Sequence, residues 1–375
     1  MKIAIDISQI VYEGTGVANY TLQMVQNLLK IDRENEYLLF SISLRQKDKL
    51  TFYFNNFKSL NNKIQFKLLP IPQTFGNFLW NRLHKLAIDK FIGNFDVLHS
   101  SDWIQPPTAA KKVTTIHDLV IYKYPKYSHP YIVETHKRRL YWVKKECDVV
   151  IADSFSTKHD LIHFLKFNEN KIEVIYPGIG EEFIRQSEEE IIRIKQKYGL
   201  YDNYILSVGT MEPRKNLHNV FSAFNNFMQH SLLVNKKTPI ELVVVGKVGW
   251  GKELKPSKNI HLLGWIPQAD LPALYSGALF FVYPSLYEGF GLPPLEAMAC
   301  GCPVITSNRG SLKEVVAGAA LLVDPEDKDD IKVKMTQLYI DEKLRKELVE
   351  FGKKNVEKFS WRKAAEEIIK IYKKI

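Results

Sequence analysis

The sequence predicts an α/β protein of two domains, each built around a parallel sheet. Three observations carry that prediction: short apolar runs alternate with helical patterns, the alternation restarts once near the middle, and 375 residues is about the length of two domains of common size. In the first half the runs are 2–8, 37–43, 97–100, 113–117, 149–152 and 172–176. The opening MKIAIDIS alternates apolar and polar residues and carries Asp6, which marks a first strand rather than the apolar core of a signal peptide. Tyr176-Pro177-Gly178 closes this series, and a charged helix follows over 188–198 with Ser187 as its N-cap. A second series runs through 204–208, 241–245, 260–263, 279–283, 304–306 and 320–323. The expected domains are 1–180 and 181–358, with the polar seam at 178–202 as a hinge between packed domains. Phe359-Ser360-Trp361, followed by Ala364, Ile368 and Tyr372, reads as a terminal amphipathic helix over 359–375 capped by Ser360.

Composition narrows the class. Hydrophobic residues make up 45% and charged residues 25%, with 21 Phe, 18 Tyr and 6 Trp, which excludes extensive disorder. The three cysteines, Cys147, Cys300 and Cys302, are too few and too unevenly placed for a disulfide framework, so free thiols in a reducing, cytoplasmic compartment are expected. Cys300-Gly301-Cys302 lacks the further ligands of a structural zinc site, and no metal is expected there. The longest uncharged stretch, 271–287, is broken by Pro272, Ser276, Gly277 and Pro284 and falls short of a bilayer span. The net charge is +10, and residues 1–180 hold 24 Lys and Arg against 17 Asp and Glu, so most of the excess lies in the first half. Such a surface can face nucleic acid, an anionic membrane or an acidic substrate.

Four stretches carry candidate chemistry. Glu13-Gly14-Thr15-Gly16 joins the first strand to an apolar helix and places backbone N–H groups at a helix N-terminus, where an anion can sit. Asn19 stands where the third glycine of a dinucleotide fingerprint belongs, so a plain tight turn and a functional loop are both open. His117-Asp118 follows the strand at 113–116, at the carboxyl end where open α/β sheets bind ligands, and a structural histidine is the competing reading. Val208-Gly209-Thr210-Met211-Glu212-Pro213-Arg214-Lys215-Asn216 leads from a strand into a helix. Its adjacent cations suit a diphosphate, and cations at the positive end of a helix dipole are misplaced unless an anion sits there. In the stretch 284–303, Glu288 and Glu296 stand eight residues apart. Gly289 and Gly291 permit a backbone turn there, and Pro293 or Pro294 can start a helix carrying Glu296 in its first turn. Carboxylates accept hydrogen bonds from sugar or ribose hydroxyls.

The E-x7-E pair inside E-G-F-G-L-P-x-L-E-A-M-A-x-G-x-P-V, together with E-P-R-K-N after a strand, resembles the family 4 retaining glycosyltransferases over essentially the whole chain. The resemblance implies a GT-B fold: two Rossmann-like domains with parallel sheets facing across an inter-domain cleft. The first domain would serve the acceptor, 181–358 would bind a nucleotide sugar, and the terminal F-S-W helix would cross back to the first domain. Arg214 and Lys215 would grip the donor diphosphate, Glu288 the transferred sugar's hydroxyls and Glu296 the nucleoside ribose. Gly289, Phe290, Gly291 and Leu292 would line the donor site. His117 and the loop of Gly14, Thr15 and Gly16 would face the donor from the other domain. Many relatives carry an arginine where this chain has Thr210, so the two remaining cations must carry more.

Metal-dependent sugar transferases usually hold their cation through an Asp-x-Asp element. The triplet here, Asp327-Lys328-Asp329, lies in an acidic run that reads as the first turn of a helix, so metal-independent transfer with retention and no resident cofactor are expected. The E-P-R-K-N form resembles mannosyltransferases of bacterial polysaccharide assembly and suggests GDP-mannose, with UDP-hexoses and dTDP-rhamnose open. The acceptor is expected to be a saccharide or lipid-linked saccharide. Two basic-aromatic helices, 78–92 with Phe78, Leu79, Trp80, Arg82, Lys85 and Lys90, and one with Lys137, Arg138, Arg139, Tyr141, Trp142, Lys144 and Lys145, fit either a peripheral seat on the inner face of an anionic membrane or ordinary surface helices. A sugar-nucleotide 2-epimerase of the same architecture and a basic nucleic-acid-binding protein are the alternatives. No nucleic-acid module is visible, so nucleic acid is not an expected partner.

Overall fold

The protein is described from a computed structural model covering residues 1–233, 239–251 and 254–375. It divides into one unit of residues 1–178 with 360–375 and a second of 179–359. Both are layered α/β units whose strands run parallel.

In the first unit, β1 (Lys2–Asp6), β2 (Glu36–Ile42), β3 (Ile64–Leu69), β4 (Val97–Ser100), β5 (Lys111–Ile116), β6 (Val149–Ala152) and β7 (Ile172–Val174) form a sheet in the order β3-β2-β1-β4-β5-β6-β7. Central strands are covered on both faces, so β2 is buried from Tyr37 to Ile42, and such strands read as unbroken apolar runs. The edge strand β3 was missing from the apolar series. Its residues alternate between shielded and exposed, so it never forms a continuous run. In the second unit, β8 (Asn203–Val208), β9 (Ile240–Val245), β10 (Ile260–Gly264), β11 (Phe280–Tyr283), β12 (Val304–Ser307) and β13 (Leu321–Val323) form a sheet in the order β10-β9-β8-β11-β12-β13. All twelve expected strands are present to within two residues at either end.

The terminal helix, Trp361–Lys374, belongs to the first unit and packs against the helix Gly16–Ile31. Trp361, Ala364, Ala365, Ile368, Ile371 and Tyr372 are its buried residues, spaced as one helical face, and they join the core formed by Ile3, Ile5, Tyr20, Met24 and Leu28. Gly178 makes this return possible, because a Cβ there would lie 2.1 Å from the Trp361 nitrogen. Ser360 precedes the helix, but its hydroxyl makes no capping bond, contrary to the sequence expectation. The helix Glu188–Tyr198 is capped by Ser187, as expected, and packs within the second unit against the helix Leu271–Gly277, where Lys197 pairs with Asp270 at 2.6 Å.

Other expectations change. The stretch 78–92 is not one helix: a wide π-type turn over Asn77–Arg82 ends where His84 and Leu86 adopt left-handed φ of 51° and 60°, and a short helix Asp89–Ile92 follows. The Trp80 indole N–H donates to Leu86 O at 2.9 Å and holds the chain in that fold-back. The second basic helix, Pro130–Glu146, is continuous, but Arg139 is fully buried rather than on its surface. Its guanidinium donates to Ser101 O, Thr114 Oγ1 and Thr115 O and pairs with Asp102 at 3.1 Å, tying together the carboxyl ends of β4 and β5. The three cysteines are buried and unpaired.

Truncating the docked face of the terminal helix tests its part in the first unit. Ile368→Ala should cost about 2–5 kcal/mol in urea unfolding, the range for deleting a buried aliphatic side chain. Glu367→Ala, on the exposed side, should change stability by less than about 0.5 kcal/mol.

Candidate active site

The strand order of the second sheet reverses between β8 and β11, and a reversal leaves a crevice at the carboxyl ends because neighbouring connections depart to opposite faces. The loop after β8 carries Arg214 and Lys215, and the loop after β11 carries Glu288. Pro213–Lys215 forms a single 3-10 turn, Asn216 at φ 61° redirects the chain, and the helix Leu217–Leu233 begins. The two loops are joined through Arg214 O, which accepts from Leu286 N at 2.9 Å and from Ser285 Oγ at 3.0 Å. The sequence motifs therefore meet in space although more than seventy residues separate them.

Glu288 is the centre of this meeting. Its Oε1 accepts from Lys215 Nζ at 2.7 Å, Tyr283 OH at 2.8 Å and Ser285 Oγ at 2.7 Å, and its Oε2 accepts from Arg214 Nη1 at 2.5 Å. Arg214 also pairs with Glu212 at 2.5 Å and donates to Tyr287 O at 2.9 Å. All these side chains are largely shielded, with only 13–15% of the Arg214 and Lys215 side chains exposed. Burial alone would raise the Glu288 carboxyl, but Arg214 and then Lys215 outweigh it and hold it down at about 2. The cations at the helix entrance are thus neither solvated nor unmatched: Glu212 and Glu288 are their anions. Lys215 spends N–H groups on Glu288 and Tyr283, and an ammonium has three.

Gly291 sits at φ +108° ahead of the helix Leu292–Ala299, and a Cβ there would lie 2.6 Å from Leu312 Cδ2, so both conformation and space demand glycine. Gly289 does not adopt a positive φ. Phe290 is buried and packs edge-on against Phe359 at 5.7 Å, which gives it a structural contact. Leu292 opens the helix, and Glu296 falls in its second turn rather than its first. Tyr275 OH donates to Glu296 Oε2 at 3.1 Å. Burial pushes the Glu296 carboxyl up to about 7, with Glu182 adding and the Tyr275 bond opposing. The two glutamates therefore differ in kind, one locked by cations and one poised near neutrality.

The first unit holds the other predicted residues. A 3-10 turn, Ser8–Val11, separates β1 from the exposed Glu13-Gly14-Thr15-Gly16 loop, which was expected to follow the strand directly. Gly14 has φ 79°, Thr15 Oγ1 accepts from Ala18 N at 3.3 Å as the helix N-cap, and Gly16 is the first helical residue. One turn on, the Tyr20 ring meets the His117 ring edge-on with centroids 4.6 Å apart, so the loop's helix and the end of β5 are in contact. His117 Nδ1 lies 2.7 Å from Asp153 Oδ2 at the end of β6. Asp153, Tyr20, Tyr283 and Tyr275 carry no role in the sequence analysis, and Glu212 and Ser285 stand inside its motif stretches without one. Asp153 had a signal, since it follows its strand as His117 follows β5, at the edge where ligands bind.

Residues 14–183 match the family described as Glycosyltransferase Family 4, and residues 188–355 match Glycosyl transferases group 1. The O-antigen chain mannosyltransferase B of Escherichia coli is 30% identical over 387 aligned positions covering all of both chains. The serotype-specific mannosyltransferase WbdA of Escherichia coli is 34% identical over 268 residues, 68% of this chain and 32% of that longer protein. Among solved structures, sucrose-phosphate synthase from Thermosynechococcus elongatus superposes with a TM-score of 0.76 at 19% identity, covering 100% of this chain and 98% of the other. Anabaena HepE, solved with UDP and glucose, gives 0.72 at 14% identity over the whole of both chains.

Glu288→Gln should expose the energetic role of the central carboxylate. Leaving Arg214 and Lys215 buried without it should cost about 3–5 kcal/mol at pH 7. A carboxyl lowered in the folded state stabilises above its unfolded pKa near 4.5 and loses that contribution as pH falls toward 2. Urea midpoints measured from pH 5 to 3 should therefore decline less steeply in the variant than in the wild type.

Proposed function

Because the chain belongs to the family 4 glycosyltransferases, we propose that it transfers mannose from GDP-mannose to a saccharide or lipid-linked saccharide acceptor in polysaccharide or lipopolysaccharide synthesis, with retention and without a metal ion. The observation that carries this reading is the buried knot of Arg214, Lys215 and Glu288 at the strand-order reversal, in a chain that aligns end to end with an O-antigen mannosyltransferase.

Transfer breaks the bond between the anomeric carbon and a phosphate oxygen and forms one to the acceptor oxygen on the same face. The carbon gains oxocarbenium character, charge grows on the diphosphate, and the acceptor's proton passes to the departing phosphate oxygen. Arg214 and Lys215 are placed to stabilise that growing charge, with Glu288 keeping both heads fixed so that little reorganisation accompanies the reaction. Glu288 thereby gains an organising part beside the contact with sugar hydroxyls that the family resemblance assigns to it. Glu296, free of cations, suits the ribose hydroxyls. Metal independence is supported by how the Asp-x-Asp triplet is used: Asp327 caps the helix Lys328–Ile340 by accepting from Asp329 N and Asp330 N, and Asp329 pairs with Lys332 at 2.8 Å.

A lipid-linked acceptor and a peripheral seat on the cytoplasmic face of an anionic membrane are supported by the first unit's surface. A cavity of about 360 Å³ there is lined by Asn81, Arg82, Lys137, Arg138, Tyr141 and Trp142, and Phe78, Leu83 and Leu86, close in sequence to Asn81 and Arg82, are exposed. Among the described residues no helix is long and apolar enough to cross a membrane.

A thermal-shift panel of nucleoside diphosphates, followed by transfer assays with the matching sugar nucleotides, tests the donor. GDP should stabilise most, through ligand-linked stabilisation, and GDP-mannose should support transfer in excess EDTA. Preference for UDP or a requirement for Mg²⁺ or Mn²⁺ would refute the corresponding part, and conversion of donor without acceptor would indicate an epimerase. Arg214→Ala and Lys215→Ala should each lower turnover at least about tenfold, the effect of a lost charge-assisted contact of about 1.5–3 kcal/mol. Glu296→Ala should weaken nucleoside diphosphate binding by a similar free energy, read by calorimetry.

A further inference from the structure

The carboxyl edge of the first sheet gathers several ionisable side chains, among them His117, Asp153, Asp102 and Arg139. His117, in the loop after β5, meets Asp153 after β6 with Nδ1 and Oδ2 at 2.7 Å, and only 16% and 6% of the two side chains are exposed. The backbone of His117 is held as well, since Thr157 Oγ1 donates to its carbonyl at 3.3 Å. The Tyr20 ring lies edge-on to the imidazole, and Tyr20 in turn packs edge-on against Trp361 of the terminal helix at 5.3 Å. The Asp153 hydrogen bond and the Tyr20 ring thus hold the imidazole from two directions, and the Thr157 bond holds its backbone. Asp153 Oδ1 is buried without a hydrogen-bond partner, and the other oxygen of the carboxylate is given to the imidazole.

We propose that Asp153 is a positioning residue for His117: its carboxylate accepts the Nδ1–H and holds the ring in its doubly protonated form, so that Nε2–H is presented to an oxygen of the nucleotide sugar and the ring serves as a hydrogen-bond donor rather than as a base. The inference rests on the reading that His117 meets the donor. A neutral imidazole whose Nδ1–H is engaged would expose a bare Nε2 able to take a proton from an acceptor hydroxyl. A charged ring donates from both nitrogens, and its surroundings favour that form. Burial opposes the charge, but Asp153 outweighs it, and Asp102 and Asp118 add, raising the imidazole to about 9. The other groups facing the site do not reverse this. His99 on β4 is driven down to about 3 by burial and stays neutral, His136 on the helix Pro130–Glu146 is lowered by burial, Arg139 on that helix is paired with Asp102, and the Tyr20 hydroxyl is raised by burial.

Two measurements on the full-length protein test the pair. In a ring ¹⁵N NMR titration, with the His117 signal assigned by its absence in His117→Gln, the wild-type midpoint should lie near 9 and should fall by about three pH units in Asp153→Asn, below the ordinary histidine value of about 6.5. The alkaline limb of kcat/KM should move down with it. A wild-type midpoint near 6.5, or an alkaline limb that Asp153→Asn leaves in place while lowering activity at every pH, would overturn the proposal and make Asp153 merely structural. The titration needs no substrate, so it decides the pair even if no sugar nucleotide is turned over, an outcome that would refute the proposed function instead.

Discussion

A charge taken out of water must meet its opposite, and in this protein that rule shapes both candidate sites. Arg214 and Lys215 are buried together, and like charges so placed would repel and lose hydration. Glu288 makes the arrangement tolerable, and Tyr283 and Ser285 complete its hydrogen bonding. The loops after β8 and β11 follow from that demand. Asn216 turns the chain, Arg214 O ties the loops, and Gly291 lets the second loop enter its helix without colliding with Leu312. The cationic heads are therefore held in fixed positions, and the cost of fixing them was met during folding.

The first unit solves a related problem with different residues. Arg139 enters the carboxyl edge of its sheet as a plug, giving its N–H groups to backbone carbonyls and one threonine hydroxyl at the ends of β4 and β5. Its charge is matched by Asp102. The neighbouring Asp153 is thereby left to His117. Both units thus place a buried ion pair where parallel strands expose their carbonyl ends, a place where loops are free to vary while the strands beneath them stay fixed.

Packing transmits this order within the first unit. Trp361 presses on Tyr20, Tyr20 on His117, and Tyr372 holds His99 through a 2.6 Å contact with Nδ1. The terminal helix is therefore part of the support of the histidine, although it lies more than two hundred residues away in sequence. Dense cores are stiff, so a shift at Trp361 would be felt at the ring.

The sequence by itself determined the parallel α/β architecture, twelve of the strands, the capped helix at Ser187 and the identity of the two motif stretches. Each of these depends on local features: apolar runs long enough for a doubly covered strand, turn-forming residues, and motif spacing. The edge strand β3 was lost because half-exposed strands dilute the same signal. The kink at His84 and Leu86 was lost because a long-range indole bond, not local propensity, decides it. Charge pairing was illegible for the same reason. Nothing in the order of residues says that Arg139 turns inward to meet Ser101 while Arg138 pairs with Glu134 on the surface, or that Glu288 pairs with Lys215. Helical periodicity tells which side of a helix is apolar, but a buried cation departs from that pattern and is stable only when carboxylates and carbonyls from distant strands converge on it. Only the tertiary structure brings those groups together, and so only the tertiary structure decided which charges are buried, which are paired, and which carboxylate meets the histidine.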